Sequence, residues 1–295
     1  MTDTQQFTTG PRPRRSALYM PGANERALEK AKTLDVDVLI LDLEDSVSPD
    51  SKGDARVRVC AAARSGDYGY RELIIRTNGI DTAWYADDLA AASRAGPDGI
   101  LIPKVNSADE VRRIEAAMVA AGAPESTRIW AMIETPTAIR RVHEIAAASD
   151  RLAVLVMGTN DLVAEIHASH VPGRAPLMTA LSQALMGAAE AGKVILDGVY
   201  NDVKNAAGFE AECEQGRDFG FDGKTIIHPS QIDPTNRIFA PSPEAIDHAH
   251  EVIAAFEEAT AAGKGVVTVD GHMIENLHVR DAERTLAFSQ AISAR

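Results

Sequence analysis

The sequence has few cysteines and fewer basic than acidic side chains. Cys60 and Cys213 are its only cysteines and no C-x-x-C motif occurs, so we interpret both as buried or inert thiols. Lysine and arginine number 30 against 43 aspartates and glutamates, which gives a formal net charge of −13. Proteins that bind nucleic acids or anionic membranes are usually basic, so this charge argues against both partners.

A long apolar run is also absent. No run reaches the ~18 residues that a membrane-spanning helix needs, and residues 1–10 lack the apolar core of a signal peptide. We therefore expect a cytoplasmic enzyme or binding protein. Apolar residues make up 45% of the 295 and charged residues 25%, which is ordinary for a soluble globular chain.

From residue 16 onwards, short apolar runs alternate with longer helical segments. Eight strands are predicted, at residues 16–20, 36–43, 72–77, 99–103, 128–133, 152–157, 194–199 and 223–227. Helices are predicted at residues 25–33, 50–64, 84–95, 108–121, 136–148, 181–191, 209–219 and 243–262. Strands that alternate with helices indicate a parallel sheet, and eight repeats in about 250 residues predict a (β/α)₈ TIM barrel.

An open, doubly wound sheet is the alternative fold. It would usually carry a glycine-rich phosphate loop after the first strand, and neither G-x-G-x-x-G nor G-x-x-x-x-G-K-[ST] occurs there. We therefore divide the chain into a mobile arm (1–14), a barrel domain (15–262) and a C-terminal lid segment (263–295) that ends in a helix at 279–291.

Polar residues follow most of the predicted strands, at the end where such barrels carry their active sites. The candidates are Glu44, Asp45, Arg76, Lys104, Glu134, Thr159, Asn160, Asp161, Asp197, Asp202 and His228. Burying several carboxylates together is costly without a cation, and Mg²⁺ typically takes one or two of them. Glu134 and Asp161, on neighbouring strands, are the natural metal ligands, and the planar fork of Arg76 suits a substrate carboxylate.

Each of these residues also has a structural interpretation. Glu44 and Asp45 could cap the following helix, and Arg76 could pair with Glu44. Asp161 could be an ordinary helix N-cap, and Lys104 could lie on the solvated rim. We interpret three further residues as supports or loop residues rather than ligands, namely Asp197, Asp202 and His228. Their coincidence at one end of the barrel favours a functional site.

These segments together resemble the citrate lyase beta-subunit group of the HpcH/HpaI aldolase family, in particular the malyl-CoA and citramalyl-CoA lyases. The matching stretches are RSALYMPG (15–22), LDLEDSV (41–47), RTN (76–78), PKV (103–105), IET (133–135), GK…IHPSQI (223–232) and GKG…DGHMIE (263–275). The resemblance implies a Mg²⁺-dependent barrel, with Mn²⁺ as a possible substitute, that cleaves or forms a 3-hydroxyacyl-CoA.

The resemblance also assigns roles to individual residues. Glu134 and Asp161 match metal ligands. Arg76 matches the arginine that contacts the keto-acid carboxylate, and Glu44 and Asp45 match the acidic residues that order this arginine. The amides of Thr159 and Asn160 match the segment that holds the acid. Arg15 and Lys104 match basic positions near coenzyme A. Ten residues in all match functional positions of the family: Arg15, Glu44, Asp45, Arg76, Lys104, Glu134, Thr159, Asn160, Asp161 and Glu275.

The C-terminal segment resembles the extension that the CoA-dependent lyases tend to keep as a lid. Where this chain has Glu275, the family commonly has an Asp that acts as an acid/base in the active site of a neighbouring subunit. We therefore expect a homotrimer or hexamer. Asp270 is the alternative lid carboxylate.

The expected reaction releases glyoxylate or pyruvate and acetyl-CoA or a homologue, and a thioesterase step is also possible. Two other hypotheses stay open. They are a class II aldolase that cleaves 2-keto-3-deoxy acids to pyruvate, and a non-catalytic subunit.

Overall fold

The computed structural model describes residues 12–263 and 265–295. Residues 1–11 of the predicted mobile arm and Lys264 of the predicted lid lie outside the described residues. The chain divides into two compact units, Arg14–Phe239 and a smaller unit that contains Ala240–Arg295. The sequence placed this boundary after residue 262, and the structure places it 23 residues earlier, after Phe239.

The larger unit is a closed barrel of eight parallel strands in sequence order, which confirms the predicted TIM barrel. The strands are β1 (Ser16–Pro21), β2 (Val38–Asp42), β3 (Glu72–Arg76), β4 (Gly99–Ile102), β5 (Arg128–Ile133), β6 (Leu152–Met157), β7 (Val194–Asp197) and β8 (Gly223–Ile226). Every predicted strand is present, with bounds that differ by at most two residues at either end.

Ten helices of this unit follow the strands. They are α1 (Glu25–Ala31), α2 (Lys52–Ser65), α3 (Tyr85–Ala95), α4 (Ala108–Ala120), α5 (Pro136–Arg140), α6 (Val142–Ala146), α7 (Thr159–Glu165), α8 (Met178–Glu190), α9 (Ala206–Phe219) and α10 (Ile232–Ile238). The sequence did not predict α7 or α10, and it predicted one helix where α5 and α6 are separated by the non-helical Arg141.

Alternate residues of the strands form two apolar layers. One set packs outward against the helices, and the other fills the barrel around the fully buried Trp130. Gly99 is required beside this indole, because a Cβ there would lie 2.8 Å from Trp130 Nε1. The interior is therefore a packed core, and a cavity can form only beyond the last interior layer.

The N-terminal ends of the strands are closed by buried ion pairs. Arg15, which precedes β1, donates from Nε and Nη2 to Asp37, which precedes β2, at 3.0 and 3.1 Å. Its Nη1 donates to the carbonyl of Asn236. Arg15 thus lies at the end of the barrel opposite the strand ends that carry Glu134 and Asp161, which corrects its predicted place near coenzyme A.

The smaller unit contains α11 (Pro243–Ala261), a hairpin of β9 (Val267–Val269) and β10 (His272–Ile274), and α12 (Asn276–Ser293). Ala249 and Val252 of α11 pack against Ile274 and Ala282 in a core of their own. The sequence assigned α11 to the barrel as its eighth helix, whereas α11 packs within this unit. None of the helices in residues 12–263 and 265–295 is long and apolar enough to cross a membrane.

Candidate active site

A cavity of about 300 Å³ opens at the C-terminal ends of the strands. Its charged lining residues are Asp42, Asp45, Arg76, Glu134 and Asp161, and its floor includes Tyr19, Met132 and Thr225. The parallel register explains this assembly, because Asp42 pairs with Arg76 across β2 and β3 and the following residues emerge at the same end. This volume accommodates a small acid but not a whole coenzyme.

Arg76 is held mainly by a residue that the sequence did not single out. Its Nε and Nη2 donate to Asp42 Oδ1 and Oδ2 at 2.7 and 2.8 Å, so this edge of the guanidinium is already occupied. Burial alone would raise the pKa of Asp42, but the Arg76 charge holds that pKa below its ordinary value. We expected Arg76 to present its whole planar fork to a substrate carboxylate. Because Asp42 occupies one edge, only the remaining N–H groups are available to the substrate.

Glu44 and Asp45 lie beside the remaining guanidinium nitrogen, where the family resemblance placed them. Arg76 Nη1 is 2.9 Å from Glu44 Oε2 and 3.3 Å from Asp45 Oδ2. Burial raises the pKa of Glu44 to about 8, against the opposing charge of Arg76. Lys52, which the sequence also did not single out, fixes this loop by donating from Nζ to the carbonyls of Leu43 and Glu44.

Glu134 and Asp161 both line the cavity, and Lys104 contacts both. The Lys104 backbone N–H donates to Glu134 Oε1 at 2.8 Å, and Lys104 Nζ is 3.1 Å from Asp161 Oδ1. Gly158 is required here, since a Cβ at that position would lie 2.2 Å from Glu134 Oε2. The second oxygen of each carboxylate is not used in these contacts.

The electrostatics of this pair suit a divalent cation. Glu134 is only 2% exposed, and its burial, together with the negative charge of Asp161, raises its pKa to about 7. Two carboxylates that are costly to ionise side by side become favourable ligands when a hard cation lies between them. The residues present therefore fit a Mg²⁺ or Mn²⁺ ion.

Thr159 and Asn160 lie in the first turn of α7, where backbone N–H groups have no partner within the helix. Gly198, just after β7, packs so tightly on Thr159 that a Cβ there would be 2.5 Å from its hydroxyl. The side chains of Asn160 and Asn201 hydrogen-bond to each other. Thr159 and Asn160 both line the cavity, as their predicted role requires.

Other predicted polar residues have structural contacts. Asp197 lies in a buried network with Arg174 and Lys224, which hold its pKa below the ordinary value although burial opposes them. His228 caps the short 3₁₀ turn Pro229–Gln231. Glu275 precedes α12 and accepts from the backbone at its start, within the smaller unit.

Comparison with known proteins gives consistent matches along the chain. The model of the HpcH/HpaI aldolase/citrate lyase family matches residues 15–229. A (3S)-malyl-CoA thioesterase of Cereibacter sphaeroides is 49% identical over 282 residues, which cover 96% of each chain. The citrate lyase subunit beta of Escherichia coli is 38% identical over 269 residues, with 90% of this chain and 89% of that one covered.

A lyase and a solved structure extend the comparison. The L-malyl-CoA/beta-methylmalyl-CoA lyase of Cereibacter sphaeroides is 32% identical over 307 residues, 96% of each chain. The crystal structure of protein CitE from Mycobacterium tuberculosis in complex with magnesium, acetoacetate and coenzyme A aligns with a TM-score of 0.77 at 28% identity. That alignment covers 96% of this chain and 99% of the other.

Proposed function

Because the chain belongs to the HpcH/HpaI aldolase/citrate lyase family, we propose that it is a Mg²⁺-dependent enzyme that hydrolyses the thioester of a malyl-CoA-type substrate. The observation that carries this proposal is its similarity, along nearly its whole length, to the malyl-CoA thioesterases. The acidic cavity at the end of the barrel supports the metal, and the basic Lys104 at its rim supports an anionic CoA thioester.

Glu134 and Asp161 would hold the metal. When bound, the cation supplies positive charge that stabilises negative charge developing on a substrate oxygen. Relatives that bind magnesium together with a small keto acid support this assignment. Mn²⁺ would serve as a substitute because it accepts the same oxygen ligands.

The remaining residues would bind and orient the acyl group. Arg76, held by Asp42, would place its remaining N–H groups towards the substrate carboxylate, and the amides of Thr159 and Asn160 would hold the same acid. Lys104 would lie near the thioester or the CoA phosphates. Asp45 would order Arg76 from the solvent side.

Hydrolysis forms a bond between water oxygen and the thioester carbon and breaks the bond from that carbon to sulfur. Glu44 is the proposed proton acceptor for the attacking water. Because burial raises its pKa to about 8, the ionised form that accepts the proton becomes available as the pH approaches 8. The proton then passes to the leaving thiolate, so that the products are the free hydroxy acid and coenzyme A.

Carbon–carbon cleavage is the second candidate, and the similarity to the citrate lyase beta subunit and the malyl-CoA lyase favours it. Here the substrate hydroxyl would lose its proton, and the carbon–carbon bond of the substrate would break to give glyoxylate or pyruvate and a thioester enolate. Glu275, on the lid of a neighbouring subunit, would donate the proton that converts the enolate to acetyl-CoA or a homologue, with Asp270 as the alternative.

One assay separates these candidates. The enzyme is incubated with (3S)-malyl-CoA and Mg²⁺, and free thiol, glyoxylate and acetyl-CoA are quantified. We expect one free coenzyme A per substrate without glyoxylate. Equal amounts of glyoxylate and acetyl-CoA would instead establish the lyase, and the absence of all three products would contradict both.

Matched variants connect the activity to the metal site. Glu134→Ala should abolish turnover while the protein stays folded, and EDTA should have the same effect on the parent. Glu165→Ala, on the same helix as Asp161 but exposed, should retain full activity.

The smaller unit carries exposed apolar side chains that an assembly of several copies would bury. Val266, Met273 and Leu277 are 49%, 61% and 60% exposed, and apolar side chains of this size gain from burial in an interface. We propose a homotrimer or hexamer in which segment 263–295 reaches a neighbouring subunit. Light scattering after size-exclusion chromatography tests this, and a monomer at micromolar concentration would contradict it.

A further inference from the structure

Tyr19 lies in the middle of β1, and its side chain forms part of the cavity floor. Its ring packs against the guanidinium of Arg76, with the Cζ atom 4.7 Å from the ring centroid. This contact fixes the ring beside the group to which the carboxylate of the substrate is assigned. The phenol oxygen is consequently a second polar group at the same place.

Arg76 has too few uncommitted N–H groups to hold a carboxylate at two points by itself. A guanidinium carries five N–H donors. Asp42 accepts from Nε and from Nη2, and Nη1 faces both Glu44 and Asp45. An acid bound here therefore needs another donor.

The hydroxyl of Tyr19 is suited to that role. Among the residues that the structure describes, no hydrogen bond to this hydroxyl is found, whereas Thr225 Oγ1, also on the cavity floor, already donates to the Asp197 carbonyl. Burial raises the pKa of Tyr19 above its ordinary value, with Arg76 opposing, so the phenol keeps its proton. The Tyr19 side chain is half-buried and lines the cavity, so a ligand bound there can supply the partner that a tyrosine hydroxyl usually finds.

We propose that the Tyr19 hydroxyl donates a hydrogen bond to the carboxylate of the bound acyl group and shares this anion with Arg76. This inference rests on the proposed function, since it assumes a substrate that carries a carboxylate. It makes Tyr19 a specificity residue, because an acyl chain without that carboxylate leaves both donors unpaired.

The test removes the hydroxyl and keeps the ring. Tyr19→Phe is compared with the parent for binding of glyoxylate in the presence of Mg²⁺, measured by calorimetry. We expect affinity for glyoxylate to fall roughly ten- to hundredfold, the range for a hydrogen bond to a charged group. Mg²⁺ affinity without glyoxylate should stay within twofold, and kcat/KM for (3S)-malyl-CoA should fall in parallel with glyoxylate affinity.

Tyr68→Phe is the matched control. Its hydroxyl donates to the Leu28 carbonyl, outside the cavity lining, so its loss should leave glyoxylate affinity unchanged. Unchanged glyoxylate affinity in Tyr19→Phe would overturn the proposal, as would a parent enzyme that binds no glyoxylate with Mg²⁺. A parent that binds glyoxylate through Tyr19 but releases no thiol from malyl-CoA would refute the proposed function alone.

Discussion

Replacing Asp42 by asparagine should destabilise the barrel strongly, because it leaves the Arg76 guanidinium without its main counter-charge. Asp42 and Arg76 are 1% and 7% exposed and are joined by two short hydrogen bonds. Removing one partner of a buried ion pair costs about 3–5 kcal/mol. Loss of the Asp42 charge also removes one of the groups that raise the pKa of Glu44, so Glu44, 2.9 Å from Nη1, ionises more readily and offsets part of this. We therefore expect a loss near the lower limit, about 3 kcal/mol.

Asp45→Asn is the matched control for the same guanidinium. Its carboxylate is 3.3 Å from Nη1, but its side chain is 75% exposed, so the loss should be at most about 1 kcal/mol. Both variants are unfolded with urea in EDTA at pH 7, with circular dichroism as the probe. A loss below 1 kcal/mol in Asp42→Asn, or equal losses in the two variants, would refute the reasoning.

Three further predictions concern the rest of the site. In metal-free protein the pKa of Glu134 is about 7 against 4.5 ordinarily, so the folded state holds this proton more tightly than the unfolded chain. Stability should therefore fall as pH rises from about 5 to about 8, and Glu134→Gln should flatten this slope in thermal melts. Gly158→Ala should displace the Glu134 carboxylate and weaken Mg²⁺ binding at least about tenfold by calorimetry, whereas Gly53→Ala, with nothing within 4 Å, should not. Glu275→Gln should lower turnover more than it weakens CoA binding, and unchanged turnover would move the acid/base role to Asp270 or out of the tail.

The barrel could be predicted because its strands are short apolar runs at regular spacing. The run at β2 is apolar on both faces, as a strand between a packed interior and a helix layer must be. The helices α7 and α10 were missed because each has only seven residues and begins without a side-chain N-cap. The equally short α1 follows Asn24, whose side chain caps it. The unit boundary was missed because α11 reads as one more amphipathic helix of the barrel, and only its packing partners distinguish it.

The ends of the predicted strands indicated which residues meet at the candidate site, and the roles of these residues stay predictions. Glu44, Asp45, Arg76, Lys104, Glu134, Thr159, Asn160 and Asp161 all lie around the mouth of the barrel. Asp42 was missed because it ends an apolar strand and was counted with it. Its partner could have been found, since Asp42 and Arg76 are the last residues of two paired neighbouring strands.

Arg15 was misplaced for a related reason. The family resemblance placed Arg15 near coenzyme A because its basic side chain matches a basic position of the family. A residue before a strand lies at the N-terminal end of the barrel, however, and there Asp37 holds it. The direction of the strand, rather than the charge of the segment, decides which end a side chain joins.

The central claim is that Glu134 and Asp161 together form a divalent-cation site. Calorimetric titration of the metal-free protein with Mg²⁺ at pH 8 tests it directly, with Asp161→Asn and the exposed Glu165→Gln alongside. We predict one ion bound per chain in the parent and in Glu165→Gln, and affinity at least about tenfold weaker in Asp161→Asn. Equal Mg²⁺ affinity in all three proteins, or no binding in the parent, would contradict the account.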